Sequence, residues 1–212
     1  MIRFALVASL ALLAANSALA DVSLGAGGQI TNFGGLGLVD VRGRWGNTQL
    51  IGEVGFGRER EAFVSGFVVD DALRIDARAG ILSRVWSQDR TSFSILALAG
   101  VRGFFSGEGN APDTDSWAIQ AELGALVHRD VHDRATLRVG ILVPLVFQVD
   151  PEFSNDMNGT LLSGGLALHF GEVHVVANLD LGGIFGADGD AGKFLARGTL
   201  NLRWAPSNWR HF

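Results

Sequence analysis

The stretch KFLARGTLNLRW, Lys193–Trp204, alternates almost without exception between apolar and polar side chains. Successive side chains of an extended strand point to opposite faces, so one face here is apolar or glycine and the other is charged or polar. The apolar face bears Phe194 and Trp204 at its two ends and smaller residues between them. This pattern is typical of a β-strand that crosses a membrane, with aromatic side chains at both lipid–water interfaces.

The same alternation recurs along the chain and predicts ten strands. They cover approximately 22–30, 35–45, 48–57, 72–86, 91–105, 116–128, 134–149, 159–170, 173–185 and 193–204. Tight connections alternate with longer ones centred on Asn32, Ser65, Asn110, Ser154 and Asp188. Short turns at one end and longer loops at the other are typical of outer-membrane barrels. We therefore predict an all-β, antiparallel, up-and-down transmembrane β-barrel of ten strands, with eight strands as the alternative.

Two tight turns, Gly46-Asn47 and Gly171-Glu172, predict the register of their hairpins, because a two-residue loop determines which residues face each other. The predicted pairs are Trp45 with Thr48, Arg44 with Gln49, Phe170 with Val173, and His169 with His174. In both hairpins, apolar faces then meet apolar faces.

The polar faces of the predicted strands carry charge, whereas their apolar faces carry none. The predicted lumen-lining charges are Arg42, Arg44, Arg74, Arg78, Arg84, Arg102, Arg134, Arg138, Arg197 and Arg203, with Asp40, Glu53, Asp76, Glu122 and Asp180. Ten arginines against five carboxylates leave a surplus of five positive charges. Because unpaired charges in a low-dielectric interior are costly, we expect a partly wet lumen, and any conduction should be small and anion-selective.

Alternation alone does not show which face points outward, because a soluble periplasmic barrel with an apolar interior would have the same alternation. The positions of the aromatic residues distinguish the two structures. A soluble barrel would place large aromatics in mid-strand, whereas a membrane barrel places them in two interfacial girdles. The predicted girdles are Trp45, Trp86, Phe93, Phe170 and Trp204 near the tight turns, and Phe56, Phe105, Trp117, Phe147, Phe185 and Phe194 near the long loops. Trp86 shares parity with Arg84, which predicts a bulge or a strand end between them.

The chain divides into three predicted parts: a secretory signal peptide at 1–20, the barrel at 21–204, and a C-terminal segment at 205–212. The first part has Arg3, a short apolar run and a small-residue cleavage site at Ala20. The chain has no cysteine, which excludes disulfides and thiolate chemistry. A net charge of −5 without any basic run gives no support for nucleic-acid binding.

The chain resembles the small bacterial outer-membrane β-barrel proteins over its whole predicted mature length. The features that carry the resemblance are the signal peptide, the last strand GTLNLRW at 198–204, and the terminal Phe212. Residues 205–208 lie between the last strand and the segment that ends at Phe212. The resemblance implies export to the outer membrane of a Gram-negative envelope. It also implies outer-membrane lipids and the barrel-assembly machinery as partners.

Histidines form the first candidate site. His128, His132, His169, His174 and His211 map to the tight-turn end, and two of them face each other across a hairpin. Two opposed imidazoles can share a metal, but a polar rim explains them equally well. We therefore predict no metal site.

Ser163, Asp180 and His169 share the inward face, as a hydrolase would require, but Ser163 and His169 lie six residues apart on one strand. That separation is roughly 20 Å, far beyond the hydrogen-bond reach that a nucleophile needs to its base. We therefore predict no catalytic residue and no cofactor, and that the protein is not an enzyme.

The leading functional hypothesis is a structural or surface-interacting envelope protein, because small barrels have interiors filled by side chains. Acidic loop residues would face the exterior, where a ligand of unknown identity could bind: Glu108, Asp113, Asp115, Asp150, Glu152, Asp156, Asp188 and Asp190. The alternatives are a porin-like, narrow, anion-preferring pore and, less favoured, an outer-membrane lipid-modifying enzyme.

Overall fold

A computed structural model describes residues 21–59, 62–64, 67–69, 72–106, 116–149, 156–186 and 192–205. The predicted signal peptide, Phe212, His211 and all the acidic loop residues except Asp156 lie outside the described residues. Within the described residues no helix is long and apolar enough to cross a membrane. The described strands form a closed antiparallel barrel and one small separate hairpin.

Ten strands form the barrel, and the predicted count is confirmed. They are β1 (Asp21–Thr31), β2 (Gly34–Trp45), β3 (Thr48–Glu59), β6 (Ala72–Gln88), β7 (Thr91–Ser106), β8 (Ser116–His132), β9 (Ala135–Gln148), β10 (Met157–Phe170), β11 (Val173–Gly186) and β12 (Lys193–Trp204). The sequence did not predict the short pair β4 (Ala62–Val64) and β5 (Phe67–Val69), which lies in the connection between β3 and β6. Its three-residue strands are too short for an alternating pattern to be recognised.

Barrel closure joins β1 to β12 in antiparallel register, from Leu24 opposite Trp204 to Thr31 opposite Arg197. Asn32 strengthens this seam, because its side chain donates to the carbonyl of Phe194 at 3.0 Å and accepts from the amide of Ala196 at 3.1 Å. Every barrel strand therefore has two hydrogen-bonded neighbours. A closed sheet leaves no unpaired edge, which is what a strand structure needs in lipid.

Glycine determines the two tight hairpins that the sequence singled out. Gly46 and Gly171 occupy the first loop position with φ of 59° and 67°, a region that favours glycine. All four predicted residue pairs of these hairpins are confirmed. The irregularity at Trp86 is also confirmed, because the register of β6 against β7 shifts between Arg84 and Trp86.

The structure corrects the sequence-based connections at two places. The link around Asn32, predicted as one of the longer ones, is a two-residue turn at 32–33. Strand β8 continues to His132 through a second register shift, so Arg134 lies in an exposed turn and does not line the lumen. We call the end formed by the turns 46–47, 89–90, 133–134 and 171–172 the short-turn end.

Large apolar side chains cover the outside of the barrel. Mid-strand examples are Val39, Leu123, Ile141, Leu162 and Leu179, each at least 48% exposed. Charged residues on this face, such as Arg58 and Arg129, lie near strand ends. An apolar belt that encircles a barrel far exceeds the isolated apolar patches of soluble proteins and is typical of a lipid-facing surface.

Candidate functional site in the barrel lumen

Apolar side chains fill part of the lumen. The cluster consists of buried residues from β3 and β6 to β10: Ile51, Leu82, Leu96, Leu98, Leu126, Leu142 and Leu161. Leu161 and Leu126 are 0% and 1% exposed. The predicted inward face, defined by its charges, did not include this cluster. Its signal was present, because Leu82 shares strand parity with Arg78 in β6.

A central ionic layer, formed by Glu53, Arg78, Glu122, Asp180 and Arg197, crosses the rest of the lumen. Arg197 of β12 donates through Nη1 to Glu122 Oε2 of β8 at 2.6 Å and through Nε to Asp180 Oδ2 at 2.7 Å. Arg78 of β6 forms an ion pair with Glu53 and lies 3.9 Å from Glu122 Oε2. Strands β8 and β12 are four places apart in a ring of ten, so the layer spans the lumen.

Two further carboxylates, Asp40 and Asp76, each accept hydrogen bonds from two arginines. Asp40 accepts from Arg42 Nε at 3.0 Å and from Arg203 Nη2 at 2.9 Å. Gly25 makes room for this carboxylate, because a Cβ at position 25 would lie 2.2 Å from Asp40 Oδ2. Toward the long-loop end, Asp76 accepts from Arg74 and Arg102, and Arg102 also donates to Gln120 Oε1 at 2.8 Å.

The charge balance of the lumen is closer to neutral than the sequence suggested. Arg44 and Arg84 lie beside the 46–47 turn, where they donate to Gly46 O and Asn47 Oδ1. Together with Arg134 in its exposed turn, they leave seven of the ten predicted arginines in the body of the lumen. Against five carboxylates, the surplus falls from five to two positive charges.

Among the described residues, one small cavity lies on each side of the central ionic layer. The upper cavity, toward the long loops, has a volume of about 80 Å³, and Phe33 and Phe104 contribute to its lining. The lower cavity, toward the short-turn end, has about 90 Å³ and is lined by Arg42 and Arg138 among others. Each volume has room for a few water molecules at most. Neither phenylalanine was predicted to line the lumen, because the girdle pattern concerns only aromatic residues on the outward face.

Histidines at the short-turn end form a hydrogen-bonded series. Thr136 donates to Asp130 Oδ1 at 2.6 Å and lies 3.0 Å from His169 Nε2, while His169 Nδ1 lies 2.9 Å from His174 Nδ1. An ionised carboxylate only accepts hydrogen bonds, so Thr136 donates to Asp130. With both imidazoles neutral, His169 then donates to Thr136, and His174 donates to His169. This series engages both ring nitrogens of His169 and the Nδ1 atom of His174.

Two further histidines lie in the described part of the chain. His128 is buried on β8 and His132 is exposed at its end. Among the described residues, no group of three or more histidine, aspartate or glutamate side chains is arranged to hold a metal ion. The absence of a metal site stays a prediction.

Ser163 and His169 have different partners. The Ser163 hydroxyl donates to Asp180 Oδ1 at 2.6 Å and accepts from Arg138 Nη2 at 3.3 Å. His169 contacts Thr136 and His174 instead. Ser163 therefore serves as a bridge between two charged groups. That the protein is not an enzyme also stays a prediction.

The predicted girdle residues lie in two bands on the outside of the barrel. Those near the short-turn end are Trp45, Trp86, Phe93, Phe170 and Trp204, and those near the long loops are Phe56, Phe105, Trp117, Phe147, Phe185 and Phe194. Phe105 and Trp117 contact each other edge to face, with ring centroids 5.3 Å apart. Trp204 donates from Nε1 to Glu172 at 3.0 Å, as expected of an interfacial tryptophan with one polar edge.

No protein-family model and no curated protein sequence matches the chain. Among solved structures, the chain is similar to Neisserial surface protein A, with 10% identity, a TM-score of 0.46, and coverage of 87% of this chain and 95% of that one. It is also similar to the translocator domain of the autotransporter NalP from Neisseria meningitidis, with 14% identity, a TM-score of 0.48, and 95% coverage of both chains.

A third similar structure is a loop-deletion mutant of OmpT, an outer-membrane protein of Vibrio cholerae, with 14% identity, a TM-score of 0.40, and coverage of 81% of this chain and 54% of that one. These neighbours are bacterial outer-membrane β-barrel proteins, and at such identities the likeness concerns the fold alone. Because the described chain itself forms a closed ten-stranded antiparallel barrel, the predicted resemblance to that class is confirmed at the level of the fold.

Proposed function

We propose that this protein is an integral outer-membrane β-barrel with a closed lumen and a structural or surface-interacting role. The observation that carries the proposal is the contact of Arg197 with Glu122 across the lumen, at 2.6 Å. The apolar cluster fills the space beside this contact, and the cavities above and below hold about 80 and 90 Å³. A porin, by contrast, keeps a continuous aqueous channel through its barrel.

The proposed location follows from the outside of the barrel. An apolar belt with aromatic residues near both ends has the polarity pattern of a barrel in an outer membrane. In this proposal, the signal peptide exports the chain, the barrel-assembly machinery inserts it, and outer-membrane lipids contact the belt. The short turns face the periplasm, and the acidic loops face the exterior.

Membrane fractionation tests the location, together with gel mobility of boiled and unboiled samples. We expect the protein in the outer-membrane fraction and a faster unboiled band, because a closed barrel stays compact in detergent. Recovery in the soluble periplasmic fraction would contradict the proposal.

A narrow, anion-preferring pore is the second candidate, because the lumen retains an excess of two arginines. Planar-bilayer recording of the refolded protein distinguishes the two. A closed lumen predicts no stable conductance steps, whereas the pore predicts small steps with anion preference. Lipid analysis of expressing cells tests the least favoured alternative, a lipid-modifying enzyme, and we expect an unchanged lipid profile.

A further inference from the structure

A partly buried guanidinium without an ion pair lies beside the lower cavity. Within the described part of the chain, Arg138 of β9 forms no ion pair, and its hydrogen-bond partner is the hydroxyl of Ser163 at 3.3 Å. The Nε atom of Arg138 is buried and has no acceptor. Burying a charged group without compensation costs far more than burying a paired one, so the fold requires something to offset this charge.

The nearby carboxylates form ion pairs with other arginines. Asp180, which Arg138 approaches through Ser163, accepts directly from Arg197 Nε at 2.7 Å. Glu122 binds Arg197, and Glu53 binds Arg78. The central ionic layer thus has three carboxylates for two arginines, whereas Asp40 serves both Arg42 and Arg203.

Counting these groups with Arg138 gives five arginines against four carboxylates around the lower cavity. The groups around the lower cavity therefore carry one positive charge in excess. Arg42 and Arg138 both line this cavity, on strands β2 and β9. The wall also contains Arg78 and Arg197, so that four arginines of the lining stand against three carboxylates, Glu53, Glu122 and Asp180. Neutral side chains that can donate hydrogen bonds, Asn178, Thr199 and Asn201, contribute to it as well.

We propose that the lower cavity binds one small monovalent inorganic anion of the chloride class, held by Arg138 and Arg42. The cavity volume of about 90 Å³ admits a halide and excludes a bulky organic anion. A single negative charge balances the single positive excess, and the guanidinium N–H groups supply charge-assisted hydrogen bonds. This inference is independent of whether the lumen conducts, since a closed barrel also needs the compensating charge.

Crystallography of the refolded protein grown in sodium bromide tests the proposal directly. We expect an anomalous bromide peak in contact with the guanidinium of Arg138. A lower cavity that contains only water, with no bromide peak, would overturn the proposal. This measurement uses the wild-type chain, so it does not depend on any variant folding.

Thermal unfolding in detergent provides a second test. The unfolding temperature is compared at equal ionic strength in potassium chloride and in potassium gluconate. The wild type should unfold about 2 to 4 °C higher in chloride, because an anion bound only to the folded state stabilises it. Arg138→Gln should lose this difference and Arg134→Gln, in the exposed turn, should keep it. An equal chloride effect in Arg138→Gln and the wild type would contradict the proposal.

Discussion

Arg197 of β12 donates to Glu122 of β8 at 2.6 Å, although 75 residues and four places in the ring of strands separate them. Both side chains point into the lumen from nearly opposite walls, and their side-chain exposures are 12% and 8%. The contact therefore crosses the lumen at the height where Arg78 and Glu53 also meet. It supports the proposal that the lumen is closed.

Removing parts of the central ionic layer should open the lumen with a predictable charge preference. Glu122→Ala leaves Arg78 and Arg197 with fewer partners, so we expect conductance steps with anion preference. The double variant Arg78→Ala, Arg197→Ala leaves Glu53, Glu122 and Asp180 and should prefer cations. Reversal potentials under a salt gradient measure both. The same preference in the two variants would refute this description of the layer.

Asp40→Asn should destabilise the folded barrel by about 3 to 5 kcal/mol, because it removes the carboxylate that the buried Arg203 and the partly buried Arg42 share. The Asp40 and Arg203 side chains are 3% and 1% exposed. Asp133→Asn is the matched control, since the Arg90–Asp133 pair is 64% and 75% exposed and should contribute less than about 1 kcal/mol. Denaturant titration of refolded protein measures the free energies of unfolding, and similar losses in the two variants would contradict the prediction.

Leu123→Arg should impair assembly into the membrane, because an arginine facing lipid at the midplane costs about 2 to 4 kcal/mol. Leu123 points outward from the middle of β8 and is 50% exposed. Val131→Arg is the control on the same face of the same strand, near the short-turn end, where Arg129 is already present. Its cost should be about 0 to 1 kcal/mol. Folded yield on unboiled gels is the measurement, and equal yields would overturn the outward assignment of this face.

Zinc or nickel should bind weakly or not at all at the facing histidines. The Nδ1 atoms of His169 and His174 already face each other at 2.9 Å, and Nε2 of His169 contacts Thr136. Isothermal titration of refolded protein is the measurement. Stoichiometric micromolar binding that His169→Ala abolishes would show that the pair opens to hold a metal.

Sequence alternation alone determined the strands, their faces and several registers. A period of two places each side chain on one face, and a glycine in a two-residue loop determines which residues face each other. The pairs His169 with His174 and Trp45 with Thr48 followed from these local rules. The break at Trp86 followed as well, because an aromatic residue shared parity with an arginine.

Only the tertiary structure decided which inward side chains contact each other in the lumen. Parity says that Arg197 and Glu122 point inward, but not that they meet, because that depends on how far the closed sheet is staggered. The same closure brings inward leucines such as Leu126 and Leu161 into one cluster and leaves Arg138 beside a cavity without an ion pair. Alternation is a property of each strand, whereas contacts across the lumen are a property of the whole ring.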